Sequence, residues 1–204
     1  MNNKEHFTYY FEKIKEALDN TDTSMFEPVV QAIVETFEKQ GTIYIFGNGG
    51  SSSTASHVAG DWVKGVCYGL EGKRLKIICL NDNFPVISAI SNDISYEHIF
   101  VEQLKNYCEK DDLVIGISGS GNSENILKAF EYASQKGSKT IAFVGYKGGK
   151  AKKTASHSIH MPVDDMEMVE DLHLLCFHAI KQRLIQMINV NQSSLGEKYD
   201  NRME

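Results

Sequence analysis

The stretch Gly47-Asn48-Gly49-Gly50-Ser51 joins an apolar run, Thr42 to Phe46, to a segment with helical spacing. Its three glycines within four positions let the backbone turn tightly and come close to a ligand. The serines that follow, with the free N–H groups of an opening helix, suit an anion such as a phosphate. His57 and Asp61 lie one helical turn apart on the same face, two groups able to move protons or bind a metal. A second loop, Ser118-Gly119-Ser120-Gly121-Asn122-Ser123, follows the apolar run 113–117. Its hydroxyls and fresh helix amides form a neutral cradle for a phosphate monoester. The first loop is neither a Walker motif nor a G-x-G-x-x-G dinucleotide loop. Each alone is also compatible with an ordinary capped turn. Two such cradles in one small domain point to a phosphosugar.

The elements that must position these loops follow from hydrophobic rhythm. Near-continuous apolar runs recur at 42–46, 75–80, 113–117 and 139–144, with a weaker one at 157–161. Such runs mark strands buried on both faces, and helical segments separate them, including Asn122 to Lys136. The fold class is therefore α/β, a doubly wound, flavodoxin-like five-stranded parallel sheet with ligands expected beyond the carboxyl ends of its strands. Two helices precede it. Residues 4–19 carry Phe7, Tyr10, Phe11, Ile14, Ala17 and Leu18 at amphipathic spacing. A capping box, Ser24-x-x-Glu27, is expected to open the second helix and Gly41 to end it. A last long helix is expected from Asp165 to Met187. The organisation is one domain over 1–204: a helical pair at 1–41, a core at 42–187 and a polar tail at 188–204.

Composition bounds the partners. The chain has 204 residues, 42% hydrophobic and 24% charged, those of an ordinary globular protein. A net charge of −6 argues against nucleic acid or an anionic membrane as partner. The N-terminus has no apolar leader and no run approaches a membrane span, so a cytoplasmic protein is expected. Cys67, Cys79, Cys108 and Cys176 form no C-x-x-C pair and are read as reduced.

Together GNGGS at 47–51, Ser91-Asn92-Asp93, GISGSGNS at 116–123, Gly148-Gly149-Lys150 and Glu170-x7-His178 carry a resemblance over residues 5–187. The sequence resembles the sugar isomerase (SIS) domains, and within them the sedoheptulose-7-phosphate (phosphoheptose) isomerases. The resemblance implies a phosphate bound in the loop of Ser118, Gly119, Ser120 and Ser123. It implies sugar contacts from Asn48, Gly49, Gly50, Ser51, Asn92 and Asp93, with Asp61 and Glu170 also facing the substrate. It implies zinc held by His57, Asp61, Glu170 and His178. The chain departs from the family where Asp61 replaces a glutamate, Glu170 a glutamine and Gly119 a threonine, and where Lys64-Gly65 stands near a usual arginine.

The implied activity is an aldose–ketose isomerase that moves a proton between adjacent carbons of a heptose phosphate through an enediol. Asp61 would be its base and His178 its acid. The alternatives are a non-catalytic phosphosugar-binding or interaction module, or an isomerase of another phosphosugar. The resemblance also implies a homotetramer with active sites at subunit interfaces. Glu170 and His178 are eight residues apart, about 12 Å along a straight helix. Side chains on one straight helix would span that only when stretched, so the spacing favours a break near Glu170, or a site in which at least one of Asp61, Glu170 and His178 meets the others across a subunit boundary.

Overall fold

The computed structural model describes residues 1–189, so the tail expected from 188 lies almost wholly outside the described residues. The apolar runs become five strands, β1 (Thr42–Gly47), β2 (Lys76–Cys79), β3 (Leu113–Ser118), β4 (Lys139–Val144) and β5 (His157–His160). All pair in parallel, in the order β2-β1-β3-β4-β5. Alternation along β1 divides the core in two. Ile43 and Ile45 face a layer containing Ile33, Trp62, Phe143 and Phe177, while Tyr44 and Phe46 face one containing Phe100, Leu104 and Phe130.

Two helices precede the sheet, α1 (Asn3–Asp19) and α2 (Phe26–Glu38), and α3 (Gly50–Gly65) follows β1. Helices α4 (Phe84–Asp93), α5 (Val101–Tyr107), α6 (Glu124–Gln135) and α7 (Ala151–Thr154) lead to α8 (Met166–Ile188). Helices α2, α3 and α8 cover the first layer; α5, α6 and α7 cover the second, with α4 at its edge. Stacked rings tie each layer to the sheet, Phe143 on Phe177 with centroids 3.9 Å apart and Phe46 on Phe100 at 4.4 Å.

Strand β1 lies between β2 and β3, so the chain leaves it toward one edge and later continues toward the other. Gly47 pairs with Ile117, which starts the loops after β1 and β3 side by side. That is the crevice where doubly wound sheets hold ligands.

Two helix ends differ from expectation. The Asp22 carboxylate accepts the Ser24 N–H, closing a 3-10 turn at Thr23–Met25, so Ser24 is not the cap and α2 begins at Phe26. Local side-chain bonding of this kind competes with a capping box. Helix α2 stops at Glu38, and Gln40 rather than Gly41 takes the left-handed turn, with φ 57°. Gly41 is needed for another reason: a Cβ there would collide with the Asp111 carbonyl oxygen.

Candidate active site

The loop after β1 is held from both sides. Gly47 N–H donates to Asn81 Oδ1 (3.1 Å) and Asn81 Nδ2 donates back to the Gly47 carbonyl (2.9 Å), a clamp from the residue just past β2 and Leu80. Asn48 exchanges two amide hydrogen bonds with the buried Asn125 of α6, at 3.0 and 2.8 Å. Tyr96 hydroxyl donates to Asn48 Oδ1 at 2.9 Å. Gly49, at φ 56°, is the cap residue of α3, and the amides of Gly50 and Ser51 precede that helix's own ladder. Asn92 and Asp93 are exposed at the end of α4 and bond to each other at 2.7 Å; Tyr96, further on, is what reaches the loop.

The loop after β3 is built around its hydroxyls. Ser118 Oγ lies 3.2 Å from Ser123 Oγ and accepts the Gly121 N–H, while Ser120 Oγ accepts the Asn122 N–H. The Gly148-Gly149-Lys150 segment buttresses it. Gly149 packs directly on the carbonyls of Ser120 and Gly121, and Lys150 N–H donates to Asn122 Oδ1 at 3.1 Å. A cavity of about 350 Å³ opens beside the loop, lined by Ser120, Asn122, Tyr146, Lys147, Gly149, Asp164 and Met166. A side chain at Gly119 would meet the Met166 sulfur, so methionine fills the room a threonine would need.

The acid, base and metal candidates sit where α3 and α8 run side by side in the same direction. His57 Nε2 is 3.1 Å from His178 Nε2, the rings inclined at 64°. Donor atoms of His57, Asp61 and His178 all lie within 4.8 Å of one another. Beneath them Trp62 packs against Phe177. Lys181, one turn beyond His178, donates to Asp61 Oδ1 at 2.5 Å.

Glu170 is not among the three. Its carboxylate presses on Gly50, where any Cβ would collide with it, about 10 Å up α3 from His57. Burial first, then repulsion from Glu167 and Asp171, raises its pKa above the ordinary carboxylate value. Helix α8 is continuous through both positions, so the expected break is absent. Asp61 and His178 meet within one chain, so these two need no subunit boundary to come together. His173, between Glu170 and His178, does not join them. It is buried against Phe143, and burial pulls its pKa down to about 4.

The motifs did not mark Asn81, Asn125, Tyr96 or Lys181. Lys181 had a sequence signal: it stands three residues after His178, on the same helical face.

The sequence matches the profile of the SIS domain over residues 6–145. A phosphoheptose isomerase of Helicobacter pylori is 38% identical over 177 residues, 87% of this chain and 91% of that protein. One from Thermodesulfovibrio yellowstonii is 36% identical over 82% of this chain and 83% of its own length. Among solved structures, a phosphoheptose isomerase from Francisella tularensis superposes with a TM-score of 0.84 at 26% identity, covering 91% of this chain and all of that one. With the two loops at the sheet's switch point and these relatives, the chain belongs to the SIS domain family, alongside its phosphoheptose isomerases.

Proposed function

We propose that the protein is an isomerase of heptose phosphates, interconverting sedoheptulose 7-phosphate and the corresponding aldose heptose 7-phosphate. It would act in the cytoplasm, as a homotetramer, to supply heptose for surface glycans. One observation carries the reading. A hydroxyl-rich loop and a glycine loop start side by side at the sheet's crevice, and the helix leaving the glycine loop bears a proton-transfer cluster. The names of the curated relatives support the same substrate.

Ser118, Ser120 and Ser123 hold the phosphate and the loop at 48–51 orients the sugar; the family resemblance adds Asn92 and Asp93, although within this chain they bond to each other and not to that loop. Asp61 takes the proton from one carbon and returns it to its neighbour, and His178 exchanges the hydroxyl proton. Two imidazoles and a carboxylate are a donor set that zinc accepts, so His57, Asp61 and His178 would hold the ion. Bound there, zinc would supply Lewis-acid stabilisation of the sugar oxygens. Glu170 stands a level above that set and faces the glycine loop.

A second assignment of the base rests on the same fact. Glu170 lies at the sugar loop with a raised pKa, which suits a general base, whereas Asp61 is paired with Lys181. Metal-replete protein incubated with sedoheptulose 7-phosphate in deuterated water should give the aldose, deuterated at C2, by NMR. No conversion would refute the isomerase reading. Loss of exchange in Asp61→Asn but not Glu170→Gln assigns the base to Asp61, and the reverse assigns it to Glu170.

A further inference from the structure

Lys181 is the one member of the α3–α8 cluster whose presence a metal site does not explain. Its ammonium bonds Asp61 Oδ1, and the pair is largely withdrawn from solvent, with side-chain exposures of 13% for Lys181 and 27% for Asp61. Asp61 is also one of the three residues whose donor atoms converge within 4.8 Å. A cation bonded to either oxygen of that carboxylate would stand a few ångströms from a fixed positive charge. Screening is weak for a pair this sheltered, so the repulsion is not washed out by salt.

We propose that Lys181 is an internal competitor for a divalent cation at the His57–Asp61–His178 cluster. It occupies the Asp61 carboxylate in the metal-free protein and lowers the affinity of the site. The inference rests on reading that cluster as a metal site. Geometry makes the competition direct. Lys181 and His178 lie on one face of α8, as Asp61 and His57 do on α3, so the ammonium is built into the cluster rather than folded over it from a loop.

One effect pulls the other way: a hydrogen bond to a ligating carboxylate usually orients it and strengthens binding. Charge decides between the two. An orienting donor helps when it is neutral or distant from the ion, whereas an ammonium beside a dication opposes it at every angle. The lysine has its own use without metal. A half-buried carboxylate left unpaired is destabilising, and Lys181 offsets that cost. The consequence is a protein that folds with its cluster formed whether or not metal is present. Metal then binds by displacing or crowding the lysine.

The test is zinc titration of the chelator-stripped full chain by calorimetry, comparing the native protein with Lys181→Met, Lys181→Arg and the double change Lys181→Met with His57→Ala. Lys181→Met should bind zinc at least about tenfold more tightly, since one nearby positive charge is gone. Lys181→Arg keeps the charge and should stay close to the native affinity. The double variant should lose the gain, which locates the binding in this cluster. Metal-free Lys181→Met should also melt at a lower temperature than the native protein, and zinc should reverse the loss. Unchanged or weaker zinc binding in Lys181→Met, with that binding abolished in the double variant, overturns the competition while leaving the metal site standing. No zinc binding in the native protein or in Lys181→Met overturns both.

Discussion

The three serines of the second loop are not equivalent. Ser118 is buried and its Oγ already accepts the Gly121 N–H, so it shapes the loop as well as facing a ligand. Ser120 is exposed at the mouth of the cavity, and Ser123 stands at the cap of α6 beside Ser118. A hydrogen bond to a charged group is worth about 1.5–3 kcal/mol. Ser120→Ala should therefore weaken binding of a sugar phosphate by roughly tenfold or more with little change in melting temperature, because the Asn122 N–H that Ser120 Oγ accepts is exposed and can turn to water. Ser118→Ala should cost binding and stability together. Calorimetry with the phosphosugar and thermal melts of both variants check this; unchanged affinity in Ser120→Ala would remove that hydroxyl from the phosphate site. The sequence already exposed these hydroxyls, because glycines and serines at a strand's end are a local pattern. It could not reveal that Gly119 is matched by Met166, forty-seven residues on, because that fit exists only after β3 and α8 meet.

Among the elements, α3 joins the glycine loop to the cluster, and its glycines do different things. Gly50 yields space to the Glu170 carboxylate, whereas a Cβ at Gly60 would meet nothing within 4 Å. Glycine inside a helix costs about 1 kcal/mol relative to alanine. Gly60→Ala should stabilise the chain by about that amount in urea unfolding, and Gly50→Ala should instead displace Glu170 and destabilise it. A destabilised Gly60→Ala would mean that the exposed face of α3 is packed against something else. The strands were legible because burial on both faces writes itself as continuous apolar runs. The bond from Lys181 of α8 to Asp61 of α3 was not, since it depends on two helices more than a hundred residues apart lying in register. The helix ends failed for a local reason: the Asp22 carboxylate reached the Ser24 amide first, and Gln40 adopted the left-handed conformation expected of Gly41.

At the scale of the whole molecule, the chain leaves apolar surface that its own sheet does not use. Helix α1 has no buried residue; Ile14 and Ala17 pack against the core, while Phe7 and Phe11 remain 59% and 67% exposed. Phe84 and Ile94, at either end of α4, are 72% and 56% exposed. Large aromatic side chains left in water favour association, each able to contribute on the order of 1.5–3 kcal/mol when buried. The tetramer proposed for this protein gives them a place. Light scattering should find four chains per particle, and replacing Phe7 and Phe11 together by serine should shift the population toward smaller species. A native monomer with full isomerase activity would refute the assembly. Subunit mixing then asks a separate question. Asp61 and His178 converge within one chain, so every Asp61→Asn subunit carries a damaged cluster and so does every His178→Ala subunit. Dissociating and reassembling the two inactive variants should therefore restore no activity, even in a tetramer whose sites lie at subunit interfaces. Recovered activity would mean that the working cluster draws Asp61 and His178 from different chains, and that the pairing of α3 with α8 within one chain is not the catalytic arrangement.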